Sequence, residues 1–358
     1  MSHLPIARIN SCGTANPPVK IEQRDALKLL VHHYKDQLSD RGLDVLSQIL
    51  SHPSIASRYF SFDNSVELVK MRNEDPDERV ARFTRFSVEL SAQALQIALD
   101  RIGKPSDAID TVIVNTCTGY ICPGISTYLT EKFHFAPGVR LYDCVGSGCG
   151  GALPNLELAR QAIVSGAAKN VACISVEICS ATFEMGNDLS LIVSNAVFGD
   201  GAAAAIVSAT GAGFSFVDSA SLFDTEQREQ VRFVHRQGRL HNVLSSKLPV
   251  IIRKTVPPLV KQLLDRHDLQ PAGIPHWAIH PGGAKMLDAI QEELQLSDVQ
   301  MAVSRDVLHD FGNMSSPTTL FALDTIMQKP PQSGDRCCLT AYGAGLSAHT
   351  SLVQWCAE

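Results

Sequence analysis

One cysteine stands in a run of small residues near the middle of the chain. Residues 146–152 read Gly-Ser-Gly-Cys-Gly-Gly-Ala, so that Cys149 has glycines on both sides. An apolar run that begins at Val139 comes before it, and an amphipathic helical pattern that begins at Leu153 follows. This pattern predicts a strand, a tight turn and a helix start, with the thiol at the turn. The unpaired N–H groups and the positive end of such a helix favour the thiolate, which is the nucleophilic form of cysteine.

The same segment also fits a glycine-rich packing turn with an inert cysteine. Free cysteine packs as a small hydrophobic residue, and most of the ten cysteines lie in apolar or small-residue segments. Cys144 is the nearest competitor, but it lies at the predicted strand end without glycines on both sides. The segment alone therefore supports the two roles of Cys149 equally. We expect no metal site, because the chain has no C-x-x-C pair and no histidine at ligand spacing beside a cysteine.

A nucleophilic cysteine needs a base, and one of the twelve histidines lies in a comparable setting. An apolar strand ends at His280, and a Pro-Gly-Gly turn then leads into a helical pattern near Met286. This places the imidazole at the carboxyl edge of a sheet, where the sites of open α/β proteins form. Five other histidines stand among polar neighbours and are expected at the surface: His32, His33, His235, His241 and His309.

A third candidate is Asn313, which follows a glycine and precedes Met-Ser-Ser-Pro. Its amide could donate hydrogen bonds to a developing enolate or thioester oxyanion. The structural alternatives are a left-handed turn at Asn313 and a helix cap at Ser315 or Ser316. Taken alone, this segment favours the structural alternatives.

Strand-like apolar runs alternate with helical patterns along most of the chain, which predicts α/β architecture with helices outside a mostly parallel sheet. The predicted strands are residues 111–114, 171–175, 202–207, 277–279 and 338–340. The predicted helices are residues 88–101, 125–133, 153–165, 256–266, 287–294 and 317–327. A polar, glycine-containing break near residues 210–230 predicts two halves, residues 1–215 with Cys149 and residues 216–358 with His280 and Asn313. We interpret the Arg- and His-rich residues 224–246 as a surface excursion.

Together these segments resemble the type III polyketide synthases, the family of chalcone and stilbene synthases. The resemblance extends over nearly the whole chain, and the order and spacing of Cys149, His280 and Asn313 agree with it. The segments that carry it are residues 13–18, 117–119 with 123–124, 176–179, 198–203, 280–283 and 312–316. The family implies the thiolase fold, in which two similar α/β halves form a five-layered αβαβα body, and a homodimer.

The resemblance also implies a mechanism. A Cys149 thiolate, kept ionised by His280, takes an acyl group from a coenzyme A thioester. Malonyl-CoA then loses carbon dioxide, and His280 and Asn313 stabilise the enolate that lengthens the acyl group by two carbons. The product cyclises to a resorcinol, phloroglucinol or pyrone. The acyl-CoA and malonyl-CoA are substrates, and the family implies no cofactor, metal or carrier-protein domain.

Further positions take roles from the same resemblance. Phe198 corresponds to an aromatic gate between the coenzyme A tunnel and the cavity, although it equally fits a core position in a strand. The other positions expected to bind substrate are Cys117, Cys179, Thr182 and Ser315.

The chain departs from the plant members of the family in three places. In residues 46–58, where plant members hold the coenzyme A phosphates with a basic cluster, only Arg58 is basic. The second aromatic gate falls near His241 or Asn242, so that gate is expected to be polar or absent. Two alanines replace Gly and Pro in residues 341–345. The last departure resembles bacterial members of the family or the ketoacyl synthase III relatives. We therefore expect a cavity shaped unlike that of a chalcone synthase, with a fatty acyl starter as plausible as an aromatic one.

Composition limits the alternatives. The 358 residues carry a net charge of -6 with 45% hydrophobic residues, which is typical of a globular enzyme and argues against a nucleic-acid binder. No apolar run approaches the roughly 20 residues of a membrane span. The N-terminus, MSHLPIARIN, lacks a secretory pattern, so we expect a cytoplasmic protein without disulfides.

Three other functions fit parts of the pattern. A ketoacyl synthase III-like enzyme, which condenses once with malonate from an acyl carrier protein, shares the fold and the Cys-His-Asn set, but the Gly-Asn-Met-Ser-Ser motif argues against it. A papain-like hydrolase has the same residue order but carries its cysteine near the mature N-terminus. An inactive binding member of the family is the third alternative, and the intact Cys149, His280 and Asn313 argue against it.

Overall fold

The computed structural model describes residues 6–357. Residues 1–5 and 358 lie outside the described residues. They include the outer ends of the two predicted halves and part of the N-terminal segment in which no secretory pattern was found. The strands are β1 (Arg8–Ala15), β2 (Val19–Glu22), β3 (Ser57–Phe60), β4 (Thr111–Thr116), β5 (Arg140–Val145), β6 (Asn170–Glu177), β7 (Gly201–Ser208), β8 (Gly213–Phe223), β9 (Val231–Arg236), β10 (Arg239–Leu244), β11 (His276–Ile279), β12 (Arg336–Gly343) and β13 (Ser347–Cys356). The helices are α1 (Gln23–Tyr34), α2 (Asp40–Leu50), α3 (Pro76–Arg101), α4 (Ile125–Phe133), α5 (Ala152–Val164), α6 (Leu189–Val197), α7 (Leu248–Asp265), α8 (Ala284–Leu294), α9 (Asp298–Phe311) and α10 (Pro317–Met327).

Nine strands form one mixed sheet in the order β11-β12-β13-β8-β1-β7-β6-β4-β5. On one side of the centre, β4 is parallel to β6, β6 is antiparallel to β7, and β7 is antiparallel to β1. On the other side, β11 is parallel to β12, β12 is antiparallel to β13, and β13 is antiparallel to β8. The two sides meet in a short pairing of β1 with β8, where Arg8 faces Ser215 and Ile9 faces Phe214. The pairing pattern therefore repeats in mirror order, with β5 as an additional edge strand.

Three clusters of buried hydrophobic residues lie between the helices and the sheet. Leu156 of α5 and Phe321 of α10 are buried in a central cluster with residues from both sides of the sheet, such as Ala205 and Leu339. A second cluster packs α3 on the outer face of β4, β6 and β7. A third packs α7 and α8 on the outer face of β11, β12 and β13. The layers are helices, one half of the sheet, the central helices, the other half of the sheet and helices again, which confirms the predicted α/β class and five-layered thiolase fold. The prediction of a mostly parallel sheet was wrong, because five of its eight strand pairings are antiparallel.

Small residues allow the layers to approach closely. All of β7 is buried, and its alanines alternate between the central cluster, with Ala203, and the outer cluster, with Ala204. This alternation is the period of two that a strand covered on both faces requires. A Cβ atom on Gly13 of β1 would overlap the backbone of Ala94 in α3. Glycine at this position is therefore required for α3 to pack on the sheet.

Most of the predicted elements are present, and the errors lie at helix starts. The predicted bounds of α4 and α10 match the structure, and the predicted strands all lie within observed ones. Helix α3 begins at Pro76 rather than residue 88, because Asp75 and Glu78 form a capping box at its N-terminus. Helix α7 begins at Leu248 rather than residue 256.

The interpretation of residues 224–246 as a surface excursion was correct only in part, because most of these residues are at least partly exposed but they are ordered as two strands. Strands β9 and β10 pair there into an antiparallel hairpin that is separate from the main sheet. Asn242 in this hairpin is 9% exposed. Arg239 bonds to Glu184 at 3.0 Å, and the hydroxyl of Ser190 donates to the Leu244 carbonyl at 3.1 Å. These contacts dock the hairpin against the body of the protein.

Candidate active site

Cys149 lies in a turn between β5 and α5. The backbone enters the left-handed region at Gly146, with φ of 90°, and at Gly148, with φ of 59°. A Cβ atom on Gly148 would also lie 2.8 Å from the backbone nitrogen of Ala344, in the loop between β12 and β13. Glycine at position 148 therefore satisfies both a backbone and a packing constraint. The strand, turn and helix start predicted around the cysteine are all present.

The thiol faces a cavity of about 40 Å³, which we call the catalytic cavity. Its wall contains Cys149 and each of the five positions expected to bind substrate, namely Phe198, Cys117, Cys179, Thr182 and Ser315. The hairpin contributes Val231, Phe233, Asn242 and Leu244. Of the two positions considered for the second gate, Asn242 thus lines the cavity. The roles of these residues in substrate binding stay predictions.

Ser315 joins several groups of the site. Its hydroxyl lies 3.5 Å from Cys117 Sγ and donates to Glu177 Oε1 at 3.3 Å, and its side chain lines the catalytic cavity together with Cys149. The backbone φ of Ser315 is 60°, in the left-handed region that residues other than glycine and asparagine rarely adopt. The Asn313 side chain stabilises this conformation, because its Oδ1 accepts a hydrogen bond from the Ser315 N–H at 2.7 Å.

Glu177 is a site residue for which sequence reasoning assigned no role. Its carboxylate is fully buried at the end of β6 and accepts hydrogen bonds from the Cys117 N–H, the Thr118 hydroxyl and the Ser316 hydroxyl, at 2.9, 2.9 and 2.7 Å. Burial raises the pKa of the Glu177 carboxyl, and these hydrogen bonds act in the opposite direction. A carboxylate within an apolar, buried strand was the available signal, since such a group requires partners.

His280 and Asn313 lie close to the catalytic cavity but are not part of its wall. The His280 ring packs edge-on against Tyr342, with 5.1 Å between centroids, and its Nδ1 has no hydrogen-bond partner among residues 6–357. Asn313 Nδ2 donates to the carbonyl of Gly282 at 3.2 Å. Tyr342 thus lies beside the imidazole, and burial, together with the charge of a Cys149 thiolate, raises the pKa of its phenol.

Phe198 is held in place from both sides. The N–H of Asn313 donates to the Val197 carbonyl, and the N–H of Gly199 donates to the Asn313 carbonyl, both at 2.9 Å. Phe198 and Asn313 thus form a bridge of parallel type. The predicted gate residue and the predicted catalytic amide therefore lie on two backbone segments that are hydrogen-bonded to each other.

Burial opposes charge on both reactive groups. It raises the pKa of the Cys149 thiol to about 12, while the hydrogen bond from Ser315 acts in the opposite direction. It lowers the pKa of His280 to about 3. Burial therefore disfavours the charged form of each group taken by itself, so a thiolate at Cys149 depends on stabilisation by its neighbours.

Arg58 is not placed to bind a phosphate. Its side chain is 1% exposed, and it donates to the carbonyls of Asn195 and Phe198, each at 2.7 Å, and to Gln23 Oε1 at 2.8 Å. Burial lowers the pKa of its guanidinium to about 9, which leaves it charged at neutral pH. The one basic residue of the segment that holds phosphates in plant members therefore supports the wall beside Phe198.

The cysteines of the chain are unpaired and differ in burial. All ten, which lie within residues 6–357, are free thiols. Cys173 and Cys338 are buried in the core, whereas Cys122 is exposed. In the part of the chain that the structure describes, no group of three or more His, Cys, Asp or Glu side chains is arranged to hold a metal ion. None of the helices in the same part is long and apolar enough to span a bilayer.

The layered body and the thiol at a strand–turn–helix junction define a thiolase-fold protein. A family model described as "FAE1/Type III polyketide synthase-like protein" matches residues 14–215. A second, described as "Chalcone and stilbene synthases, C-terminal domain", matches residues 225–355. The chain therefore belongs to the type III polyketide synthase family, whose members are acyl-transferring enzymes, and the predicted resemblance is confirmed.

Individual relatives agree with this assignment. The chain is 28% identical to 3,5-dihydroxyphenylacetyl-CoA synthase of Streptomyces toyocaensis, over 79% of this chain and 75% of that protein. It is 27% identical to 1,3,6,8-tetrahydroxynaphthalene synthase of Streptomyces peucetius, over 96% of this chain and 91% of that protein. The crystal structure of 1,3,6,8-tetrahydroxynaphthalene synthase from Streptomyces coelicolor matches with a TM-score of 0.90 at 20% identity, over 98% of this chain and 100% of that one, which supports the fold.

Proposed function

We propose that this polyketide synthase loads an acyl group from a coenzyme A thioester onto Cys149 and extends it with malonyl-CoA by decarboxylative Claisen condensation. The lengthened chain then cyclises to a resorcinol, phloroglucinol or pyrone. The observation that carries the proposal is the enclosed Cys149 thiol in the turn after β5. It shares the catalytic cavity with Ser315, whose N–H donates to Asn313, and Asn313 in turn donates to Gly282, two residues after the buried His280.

Loading begins with the Cys149 thiol and the His280 imidazole. The proton of the Cys149 thiol moves to the His280 imidazole as Sγ attacks the thioester carbonyl. The coenzyme A thiolate then leaves and takes the proton from the imidazolium, which releases free coenzyme A and leaves an acyl-cysteine.

Condensation needs hydrogen-bond donors for an enolate oxygen. Malonyl-CoA loses carbon dioxide, and the enolate carbon of the remaining acetyl-CoA attacks the acyl carbonyl on Cys149. The Cys149 thiolate leaves, which gives a β-ketoacyl-CoA two carbons longer. One N–H of the Asn313 amide is used by the Gly282 carbonyl, so its second N–H remains for the enolate, together with an N–H of His280.

Three further statements belong to this proposal. The two halves, residues 1–215 and 216–358, are supported by the mirror order of the sheet, although residues 215 and 216 lie within β8 just after the turn at 209–212. A homodimer is supported by the exposed edge strand β5, of which Tyr142 and Val145 are 51% and 56% exposed. Cytoplasmic localisation stays a prediction from the sequence.

The alternatives fit less well. A single condensation that depends on an acyl carrier protein is not favoured, because both family models and the named relatives belong to the chalcone synthase-like group. The papain-like alternative does not fit a thiolase fold. An inactive member would lack acyl loading, which the following experiment measures.

The test is mass spectrometry of the intact protein and of its products with malonyl-CoA and a panel of aliphatic and aromatic acyl-CoA starters. We expect an acyl adduct and extended products from the parent and from Cys144→Ala, whose cysteine lies near the end of β5, the strand before the turn that holds Cys149. We expect neither from Cys149→Ala. Loading that survives in Cys149→Ala, or products that form only with an acyl carrier protein, would overturn the proposal.

A further inference from the structure

The hydroxyl of Tyr342 is a buried polar group that the mechanism above does not use. Tyr342 is the last residue but one of β12, and its side chain is 4% exposed. Its hydroxyl oxygen is buried and has no hydrogen-bond partner within residues 6–357. A hydroxyl in this state has lost its hydrogen bonds to water, and such groups are rare in folded proteins unless a ligand supplies the partner.

The backbone at Tyr342 is fixed against the nucleophile turn. A Cβ atom on the next residue, Gly343, would overlap the backbone nitrogen of Gly150 and would lie 3.0 Å from that of Cys149. Only glycine therefore allows this close contact between β12 and the turn. The side chain of Tyr342 consequently begins one residue away from the contact with Cys149.

The ring of Tyr342 packs on the predicted base. It stands edge-on to the His280 ring, at an interplanar angle of 77°. His280 is also tied to β12, because its N–H donates to the Thr340 carbonyl at 2.8 Å. The Tyr342 hydroxyl and the His280 Nδ1 are both without partners among the described residues, so they are not bonded to each other. The two rings therefore touch by packing alone, and the Tyr342 oxygen remains available to another group.

The hydroxyl lies on the turn that holds the Asn313 amide. A Cβ atom on Gly282 would lie 2.9 Å from the Tyr342 hydroxyl oxygen, so glycine leaves the room for it. The carbonyl of Gly282 accepts the hydrogen bond from Asn313 Nδ2, and its N–H donates to the His280 carbonyl at 3.0 Å. The phenol and the amide thus contact the same residue, on the side of the site where His280 lies.

The Tyr342 hydroxyl is suited to donate. Burial raises the pKa of the phenol, so the group keeps its proton at neutral pH. A fixed donor in a buried site stabilises an oxyanion more strongly than a donor in water does. The oxyanion expected beside His280 and Asn313 is the enolate oxygen that forms when malonyl-CoA loses carbon dioxide, whereas the acyl carbonyl is attached at the nucleophile turn.

We propose that the Tyr342 hydroxyl is a third hydrogen-bond donor to the enolate oxygen, beside an N–H of His280 and the second N–H of the Asn313 amide. Tyr342 is then a catalytic residue for decarboxylation and condensation that the loading of Cys149 does not need. The hydroxyl keeps its proton throughout, so no atom is transferred to or from it. This inference rests on the proposed function and adds a residue to it.

The test measures the two half-reactions separately in Tyr342→Phe, which removes the hydroxyl and keeps the ring. Loading is the rate at which the Cys149 adduct forms with the starter that loads the parent fastest, followed by intact-protein mass spectrometry. Decarboxylation is the release of carbon dioxide from malonyl-CoA, labelled in its free carboxyl group, in a single turnover of the loaded protein. We expect parental loading and a parental KM for malonyl-CoA, with carbon dioxide released at least about tenfold more slowly.

The matched control is Tyr128→Phe, which removes the hydroxyl of a half-buried tyrosine in α4. It should equal the parent in both half-reactions. Tyr342→Leu, which also removes the ring beside His280, should slow loading as well. Parental release of carbon dioxide by Tyr342→Phe overturns the proposal. An equal loss of loading and decarboxylation in Tyr342→Phe also overturns it, because the residue would then act by positioning His280.

A second measurement uses the charge of the enolate. A coenzyme A analogue that ends in a nitroalkyl group ionises to a nitronate, whose oxygens imitate the enolate oxygen. By isothermal titration calorimetry, Tyr342→Phe should bind the nitronate at least about tenfold more weakly than the parent and bind free coenzyme A equally well. Equal affinity for the nitronate overturns the role of Tyr342 alone. Failure of the parent to load Cys149 overturns the proposed function itself.

Discussion

Arg58 donates a hydrogen bond from Nη1 to the carbonyl oxygen of Phe198 over 2.7 Å. The same nitrogen reaches the Asn195 carbonyl, and Nε reaches Gln23 Oε1. The Arg58 guanidinium, which could have held a phosphate, therefore donates its hydrogen bonds to the backbone beside the cavity. This arrangement makes the position of the Phe198 ring depend on a residue from β3, far away in sequence.

Replacing this cation should cost stability. Arg58→Met leaves buried acceptors without donors, so we expect the free energy of unfolding to fall by about 3 kcal/mol, measured by urea denaturation. Arg41→Met, at an exposed position, is the control and should remain near the parent. A variant of parental stability with a raised KM for acyl-CoA would instead indicate that Arg58 binds phosphate.

The second prediction concerns the charge of Glu177. This carboxylate raises the pKa of the Cys149 thiol, so Glu177→Gln should lower that pKa and speed alkylation of Cys149 by iodoacetamide at any pH between 7 and 10. The rate is measured on the Cys149 peptide by mass spectrometry. Glu157→Gln, which alters a carboxylate paired with Arg160 in α5, should leave the rate unchanged. Identical profiles for Glu177→Gln and the parent would mean that Glu177 is protonated at rest.

The third prediction follows from two buried histidines. Burial lowers the pKa of His280 to about 3 and that of His349 to about 4, whereas an unfolded chain binds these protons near pH 6.5. The stability from keeping them neutral is present above pH 6.5 and is lost as the pH falls towards 4 and 3. We expect the unfolding free energy of the parent to fall by about 1 kcal/mol more than that of His349→Asn between pH 6 and 5.

The control for this comparison is the exposed His32. His32→Asn should retain the full pH dependence of the parent, measured by urea denaturation at each pH. An equal pH dependence in His349→Asn and the parent would show that His349 is protonated in the folded protein.

The fourth prediction concerns assembly. Strand β5 forms one edge of the sheet and carries the half-exposed Tyr142, with Tyr120 74% exposed in the loop after β4. An unpaired strand edge with apolar side chains is a surface that a second copy can cover. We expect a dimer in light-scattering chromatography and a monomer for Tyr142→Lys. Val299→Lys, at an 84% exposed position in α9, should stay dimeric. A monomeric parent would refute the homodimer.

Features encoded within a few adjacent residues could be predicted from the sequence. The glycines around Cys149 and the proline at the start of α10 act on the local backbone, and both elements were predicted close to their observed bounds. The start of α3 was missed although its signal is local too, because the capping residues Asp75 and Glu78 stand in a polar segment outside the apolar pattern.

Features that depend on distant contacts could not be predicted in this way. Glu177 is stabilised by groups about 60 residues before it and about 140 residues after it, at Cys117 and Ser316. No periodicity in a single segment encodes such partners. The same applies to the hairpin of β9 and β10, whose charged sequence suits a solvated surface although one of its faces covers the catalytic cavity.

The order of these parts along the chain has a consequence for synthesis. The nucleophile at residue 149 leaves the ribosome before the hairpin that covers it, before His280 and Asn313, and before the Ala344 loop that packs on its turn. In a chain that emerges from its N-terminus, the predicted base His280 follows the thiol 131 residues later, and Ala344 follows it 195 residues later. On the proposed mechanism, we therefore expect the nascent protein not to react with thioesters until its last strands are in place.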